Sequence, residues 1–485
     1  MEYTKAEIAT PSPRSTINSY RSFGYNVCTA IADIIDNSIS ANAKEISVEY
    51  EWNGRTSYIL ISDDGDGMNC DELVLAMTPG SKDPEEKRAA NDLGRFGMGL
   101  KTASFSQCKR LTCITKQTSH ATIKRCWDID FVNQENEWRL LNNVSDSSFV
   151  ERINNQKSGT LVLWEKLDRI VGNAEVGNES VKNAFYQEMM NVKQHLSIVF
   201  HKFIEKGKIT ILFQNEKIEA YNPFLLNLEP KPEMGQPETF GNVEITYFIL
   251  PHMSEIGKVE YEKSGGSLGW FQQQGFYIYR GDRLLVAGNW LGIEKKRDYS
   301  KLARIAINFT NSNDFNWQLD IKKSTATPPI EIRRELTRIA KIAIMKSAQR
   351  YNWRGQKTSS EYPNPNFEPL WKDEITREGL KKYKINRKHP IISALIAESS
   401  KLANKALKLL ENNVPIELIL SNQNEDPSYH ELEKQTEAPS DELIALAVEL
   451  YKINISQGIP KALAQQQIMN ATPFNMFPLI NEYLK

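Results

Sequence analysis

An apolar run, Tyr58-Ile59-Leu60-Ile61, stops abruptly at Asp63-Asp64-Gly65-Asp66-Gly67-Met68 and gives way to a helix-like segment. A strand that ends on acids and alternating glycines has to turn sharply there, because glycine enters left-handed backbone without a Cβ penalty. Alone, such a segment is most often an acidic surface turn. Two other segments change its weight: Asp33-Ile34-Ile35-Asp36-Asn37 upstream, and Gly94-Arg95-Phe96-Gly97-Met98-Gly99-Leu100-Lys101 downstream. Each is weak by itself. Their order and spacing restrict the fold to one in which a polar helix edge, a strand end and a glycine-rich segment meet.

Residues 26–41 carry apolar Val27, Ile31, Ile34 and Ile35 at helical spacing, with Asp33, Asp36, Asn37 and Ser40 at i, i+3, i+4 and i+7. One helix therefore offers its back to a core and a compact polar edge to something else. Ile46, Val48 and Tyr50 alternate as a half-buried strand, and Tyr58–Ser62 reads as a second. Residues 78–93 are polar with two prolines, the composition of a long lid-like loop. Strand patterns follow around Arg110–Thr115, Ala121–Trp127 and Thr160–Trp164, then a helical pattern over about Glu179 to Glu205. The texture changes near Gly207. Ile209–Phe213, Val243–Leu250, Phe276–Tyr279, Arg283–Val286 and Ile305–Asn308 read as strands, and a helix from about Pro329 to Tyr351 closes that block. Residues 355–369 are a Ser/Asn/Pro-rich linker, and 370–485 read as mainly helical.

The chain has 485 residues, enough for two or three domains with their own cores. The boundaries expected are 1–206, 207–354, the linker 355–369, and 370–485. With 60 Lys+Arg against 61 Asp+Glu the net charge is -1, so no global field draws nucleic acid and any basic surface is local. Five cysteines (Cys28, Cys70, Cys108, Cys113, Cys126) without a Cys-x-x-Cys pair read as reduced thiols and argue against zinc. The N-terminus lacks an apolar signal core, and no apolar run approaches the ~18 residues of a membrane span. The expectation is a cytoplasmic protein with no membrane partner.

The three segments supply what an adenine nucleotide needs. Adenine's exocyclic amine requires an acceptor, and Asp63 stands at a strand end for that purpose. Gly65 and Gly67 allow close backbone approach to a base, with Met68 beside them. Phosphates require backbone N–H groups at a helix start, which Gly94-x-x-Gly97-x-Gly99 followed by Leu100-Lys101 provides. Magnesium requires hard oxygen ligands, and the Asn37 amide oxygen is one. Hydrolysis requires a carboxylate beside water, and Asp33 lies one turn from Asn37 on the same helix face. A P-loop is excluded, because Leu100 intervenes before Lys101-Thr102 and no strand runs into Gly94.

Jointly these segments resemble the GHKL ATPases: gyrase B subunits, ninety-kilodalton heat-shock chaperones, histidine kinases, MutL and MORC. The resemblance covers about the first 200 residues. It implies an α+β chain with a Bergerat-fold α/β sandwich ATPase domain, followed by an α/β transducer-like domain and a mainly helical C-terminal region. It also implies ATP and Mg2+ as ligands. Ser158-Gly159-Thr160 looks like the family's fourth motif, in which Thr160 backs up Asp63. The first histidine, His120, falls inside the ATPase region, which argues against a histidine kinase. Gly275-Phe276-Tyr277-Ile278-Tyr279-Arg280-Gly281-Asp282-Arg283 resembles a MORC-type strand pair, and Trp317-Gln318-Leu319-Asp320-Ile321-Lys322-Lys323-Ser324 the loop that brings a catalytic lysine to the γ-phosphate. Lys323 is preferred, with Lys322 the alternative, since neighbours on an extended chain point to opposite sides. The prokaryotic MORC-like and MutL-like ATPases associated with restriction-modification and phage defence are similar over Arg14 to Asn42 and at Asn386-Arg387-Lys388-His389-Pro390.

This chain departs from the family pattern twice. The usual base is glutamate; Asp33 is one methylene shorter, which implies slow hydrolysis. Ser40 stands where relatives carry aspartate. The resemblance further implies a nucleotide-dependent homodimer acting with other defence-system proteins, with DNA as a candidate partner. Arg334, Arg338, Lys341, Lys346, Arg350 and Arg354 on one helix, and Lys381, Lys382, Lys384, Arg387 and Lys388 after it, suit either DNA contact or solvated faces. His389, before a proline, reads as a packing or capping residue. An ATPase clamp and an ATP-gated binding module with little turnover both remain open at this level.

Overall fold

The computed structural model describes residues 10–81, 99–266, 268–309, 317, 327–352, 370–375, 381–398, 400–412, 439, 441–471 and 474–484. Met1–Trp353 form one compact unit and Arg354–Lys485 a second.

In the first unit α1 (Pro13–Tyr20) and α2 (Val27–Ser40) precede β1 (Glu45–Glu51), β2 (Tyr58–Asp63), α3 (Cys70–Met77) and α4 (Gly99–Phe105). Next come β3 (Arg110–Lys116), β4 (Ile123–Asp128), α5 (Ile129–Glu135), α6 (Ser148–Asn154), β5 (Gly159–Glu165), α7 (Glu179–Val199), α8 (His201–Glu205), β6 (Thr210–Phe213) and β7 (Glu216–Lys217). The strands form one sheet in the order β4-β3-β5-β2-β1-β6-β7, antiparallel throughout except for the parallel β1–β6 pair. α2 starts where the Asn26 side chain accepts from Thr29 N–H, and its Val27, Ile31, Ile34 and Ile35 are buried. Side chains alternate across the strands, so Ile46, Val48, Ile59 and Ile61 join α2 and α7 in the main core. Leu60, Ile114, Leu161 and Leu163 face the other way, under Phe149 and Ile153 of α6. The result is a two-layer α/β sandwich.

A second sheet is built from β8 (Glu233–Met234), β9 (Glu238–Phe240) and β10 (Val243–Ile249), followed after α9 (Met253–Ile256), α10 (Lys258–Ser264) and α11 (Gly269–Gln272) by β11 (Gly275–Arg280), β12 (Arg283–Asn289) and β13 (Ala303–Phe309). Its order is β12-β11-β13-β10-β8, with β9 also on β10, and β12 is an edge strand. The 23-residue helix α12 (Ile330–Asn352) covers it through Leu336, Ile339, Ala340 and Ala343.

In the second unit the hairpin β14 (Trp371–Ile375) and β15 (Lys381–Ile385) precedes α13 (Pro390–Glu398), α14 (Ser400–Asn412), α15 (Asp441–Ser456) and α16 (Lys461–Met469). Ala447, Leu450, Ala464, Ile468, Phe474 and Ile480 form its main core. His389 is fully buried just ahead of α13, and its carbonyl accepts from Ser393 N–H.

The α+β class expected from the sequence holds. Three local expectations are corrected. β6, which begins after residue 207, pairs with β1, so the change of texture there does not coincide with a change of sheet. The helical pattern over 179–205 breaks at Phe200 into α7 and α8. Lys381, Lys382 and Lys384 lie on a strand rather than a helix. The expected linker, 355–369, lies outside the described residues.

Candidate functional site

Strand parity sets the first half of the site. Asp63 has the same parity as Ile59 and Ile61, Thr160 as Val162 and Trp164, and Thr115 as Leu111 and Cys113, so all three point toward the helical layer. Asp63 is 7% exposed. Its Oδ1 accepts from Gly65 N–H at 3.0 Å and Thr160 N–H at 3.2 Å, and its Oδ2 accepts from Ser38 Oγ of α2 at 2.7 Å. Burial pushes the Asp63 carboxyl above its ordinary pKa; the hydrogen bonds from Ser38, Gly65 and Thr160 oppose that shift, and Asp64 adds to it. Oδ1 is thus fully used, whereas Oδ2 keeps acceptor capacity.

The turn after Asp63 depends on glycine. A Cβ on Gly67 (φ +69°) would meet Lys116 O at 2.0 Å, and one on Gly65 would meet Ala41 O at 2.7 Å. The flanking acids are structural: Asp64 Oδ1 accepts from the backbone N–H groups of Lys44 and Glu45, and Asp66 Oδ2 from the Asn42 amide. Met68 N–H donates to Thr115 Oγ1, which also bonds the Gly159 carbonyl and Thr160 Oγ1. Thr160 therefore reaches Asp63 through its backbone, while its hydroxyl holds Thr115.

The second half lies along α2 and α4. Asp33 is buried, and Tyr25 Oη donates to its Oδ2 at 2.8 Å. A Cβ on Gly99 would stand 3.9 Å from the same oxygen, so α4 begins beside this carboxylate. Asn37, one turn on, is exposed. The polar edge expected on α2 is largely not solvated: Asp36 is 1% exposed and accepts from Arg283 Nε of β12 at 2.8 Å. Ser40 Oγ donates to the Asp36 carbonyl, a local bond within the helix. Leu100 is half-buried against the main core. Lys101, expected at the phosphates, is instead buried with Nζ donating to the Ala76 carbonyl at the end of α3. Gly94, Gly97, Lys322 and Lys323 lie outside the described residues.

The structure thus brings Asp63, Gly65, Gly67, Met68 and Thr160 into one hydrogen-bonded turn and sets Asp33 and Gly99 side by side. Residues 25–160 match the family described as histidine kinase-, DNA gyrase B- and HSP90-like ATPase. The chain carries a GHKL ATPase domain. The chain is 29% identical over 89 residues to ATPase morc-1 of Caenorhabditis elegans, covering 18% of this chain and 10% of that protein. It is 33% identical over 106 residues to the DNA mismatch repair protein MutL of Pseudomonas fluorescens, covering 21% of this chain and 16% of that protein. The aligned segments are therefore small parts of both relatives.

Sequence reasoning missed the parts played by Ser38, Thr115 and Tyr25, and the pairing of Asp36 with Arg283. Ser38 had a signal, since it directly follows Asn37 and shares α2 with it. Arg283 had none, because 247 positions separate it from Asp36.

Proposed function

We propose that this chain binds and slowly hydrolyses ATP with Mg2+, and that it works as an ATP-gated dimeric clamp. The observation that carries the reading is the Asp63 network, a buried carboxylate with one fully used oxygen and one oxygen open to an exocyclic amine. Asn37 supplies an amide oxygen to Mg2+, which neutralises phosphate charge when bound. Asp33 orients or deprotonates the attacking water. Gly94, Gly97 and Gly99 provide the phosphate cradle, and Lys323 or Lys322 the cation for the γ-phosphate. The proposed organisation is an ATPase domain over 1–206, with β6 and β7 completing its sheet, a transducer over the second sheet to 354, and a helical region from 370.

Clamp closure, a homodimer, a cytoplasmic setting, and a role with DNA and partner proteins in restriction or phage defence complete the proposal. MutL's own name places it in DNA mismatch repair, which is the alternative setting. Among the described residues no helix is long and apolar enough to cross a membrane. The basic helix α12 gives little support to DNA contact. Arg338 pairs with Glu238 and Glu335, Lys346 with Glu233, and Arg350 with Glu255, so these cations are neutralised within the unit.

ATP binding and turnover by wild type and Asp33→Asn test the reading. Wild type is expected to turn over and Asp33→Asn to bind ATP while losing about 100-fold or more in rate. Equal background rates for both, with ATP bound, would leave an ATP-gated binding module in place of an enzyme.

A further inference from the structure

Asp36 occupies the nucleotide helix between Asp33 and Asn37, yet its partner comes from the second sheet. Arg283 is the first residue of the edge strand β12, and its Nε meets Asp36 Oδ1 at 2.8 Å with the two side chains 5% and 1% exposed. The guanidinium also bonds the Leu284 carbonyl and lies 4.9 Å from the Phe200 ring centroid, at the break between α7 and α8. The turn leading into β12 is held a second time: Asp282 pairs with Lys206 at 2.6 Å and Lys208 at 2.7 Å, both lysines more than half exposed. The exposed pairs contribute little and are screened by salt. The buried pair is different. Desolvation removes most of the stability it would otherwise confer, and packed hydrocarbon of the same volume would hold the two elements together at least as well. What the pair keeps is geometry, since a planar guanidinium presents its donors in a rigid fork and so constrains the direction from which Asp36 is met.

We propose that Arg283 is a positioning residue for the nucleotide site: from the second sheet it fixes the rotation of α2, aims Asp33 and Asn37, and carries a nucleotide-driven shift of α2 into the β11–β12 hairpin. This rests on the ATP-site reading above. Two of the three donors to Asp63, the N–H groups of Gly65 and Thr160, belong to the first sheet and its turn, and Ser38 Oγ alone comes from α2, so base recognition depends on the pair less than the catalytic side of α2 does.

The test uses the full chain as wild type, Asp36→Leu/Arg283→Met and Arg283→Lys. A non-hydrolysable ATP analogue is titrated, turnover is measured, and amide hydrogen exchange is followed over Gly275–Asn289 with and without the analogue. The double variant replaces both charges with hydrocarbon and is expected to fold; Arg283→Lys keeps the charge and serves if it does not. Expected are analogue affinity within about threefold of wild type, turnover lower by about tenfold or more, and loss of the nucleotide-dependent protection of the hairpin. Protection that persists unchanged in the variants overturns the proposal, as does its absence from wild type. If wild type does not bind the analogue at all, the ATP-site reading itself fails, an outcome distinct from binding without protection.

Discussion

Asparagine at position 63 separates the base-recognition chemistry from the fold. Oδ1 of Asp63 takes two backbone donors, Gly65 N–H at 3.0 Å and Thr160 N–H at 3.2 Å, and among the described residues Oδ2 takes Ser38 Oγ alone, at 2.7 Å. In Asp63→Asn the amide oxygen must keep the Oδ1 place, because an NH2 there would face two N–H groups. The NH2 then falls on the Oδ2 side, where the Ser38 hydroxyl can rotate to accept. The turn survives, but the acceptor for adenine's amine has become a donor. One charge-assisted hydrogen bond is lost and a donor–donor contact is made, together about 2–3 kcal/mol, or roughly 30- to 150-fold in ATP affinity. Guanine carries a carbonyl where adenine carries the amine, so GTP analogues are expected to lose far less, and the ATP/GTP preference to narrow or invert. Calorimetric titration of both analogues, with thermal melting to verify the fold, measures this. A folded variant whose ATP affinity stays within about threefold of wild type, with base preference unchanged, refutes the role assigned to Asp63.

Ser38→Ala removes the one hydrogen-bond donor to Asp63 Oδ2 among the described residues and is expected to destabilise the domain by about 1–3 kcal/mol in thermal or urea unfolding. A hydrogen bond to a carboxylate lowers its pKa, so losing it raises Asp63 further; ATP binding, which needs the acceptor, is then expected to fail at higher pH than in wild type as acid is added. Tyr25→Phe deletes the hydroxyl that holds Asp33 Oδ2, and turnover is expected to drop by about tenfold with analogue affinity unchanged; equal loss of both would assign Tyr25 a packing role. Burial lowers the His201 pKa from its ordinary value to about 4, with Lys202 adding to the shift, although its bond to the Ile198 carbonyl and the charge of Asp282 oppose it. The unfolded chain therefore binds the extra proton first, so stability present above pH 6.5 is lost as pH falls toward 4, about 2 kcal/mol between pH 7 and 5. His201→Phe is expected to flatten that limb in melts at the two pH values.

Local chemistry was legible where the sequence and the contact coincide. The Asp63–Gly67 turn could be read because its acid, its glycines and its preceding strand are contiguous, and strand parity then aims Asp63 without further information. The motif points to Thr160 as the support of Asp63, but that the backbone N–H does this while the hydroxyl meets Thr115 depends on the register between β2 and β5. The helix edge at Asp33, Asp36, Asn37 and Ser40 showed polar residues at the right period and nothing about what they meet. Hydropathy cannot separate water from Arg283, since both satisfy a carboxylate. β6 was grouped with the strands after it because texture records composition, whereas its partner β1 lies more than 150 residues earlier across a parallel crossover. Lys101 followed the glycine run in sequence, yet α4 turns its ammonium toward Ala76.

In the proposed ATP site the two ends are built from different materials, and this bears on how binding and turnover depend on each other. At the base end the donors to Asp63 Oδ1 are backbone N–H groups fixed by the β2–β5 register and by a turn that tolerates only glycine. Such donors have no rotamers to lose and do not move unless the sheet does. At the hydrolytic end the carboxylate is an aspartate, shorter than glutamate by one carbon–carbon bond, about 1.5 Å. Its place is set by a tyrosine hydroxyl, by the absence of a side chain at Gly99, and by the rotation of a helix tied to another sheet. Displacements near 1 Å at a reacting centre change rates by about 100-fold, so a small rotation of α2 moves turnover greatly while leaving Asp63 in register. On the proposed reading, nucleotide occupancy then rests mainly on the first sheet, with Ser38 of α2 as its one helical donor to Asp63, and turnover on both sheets together, which is the arrangement a clamp requires if ATP is to be held until the rest of the molecule has responded.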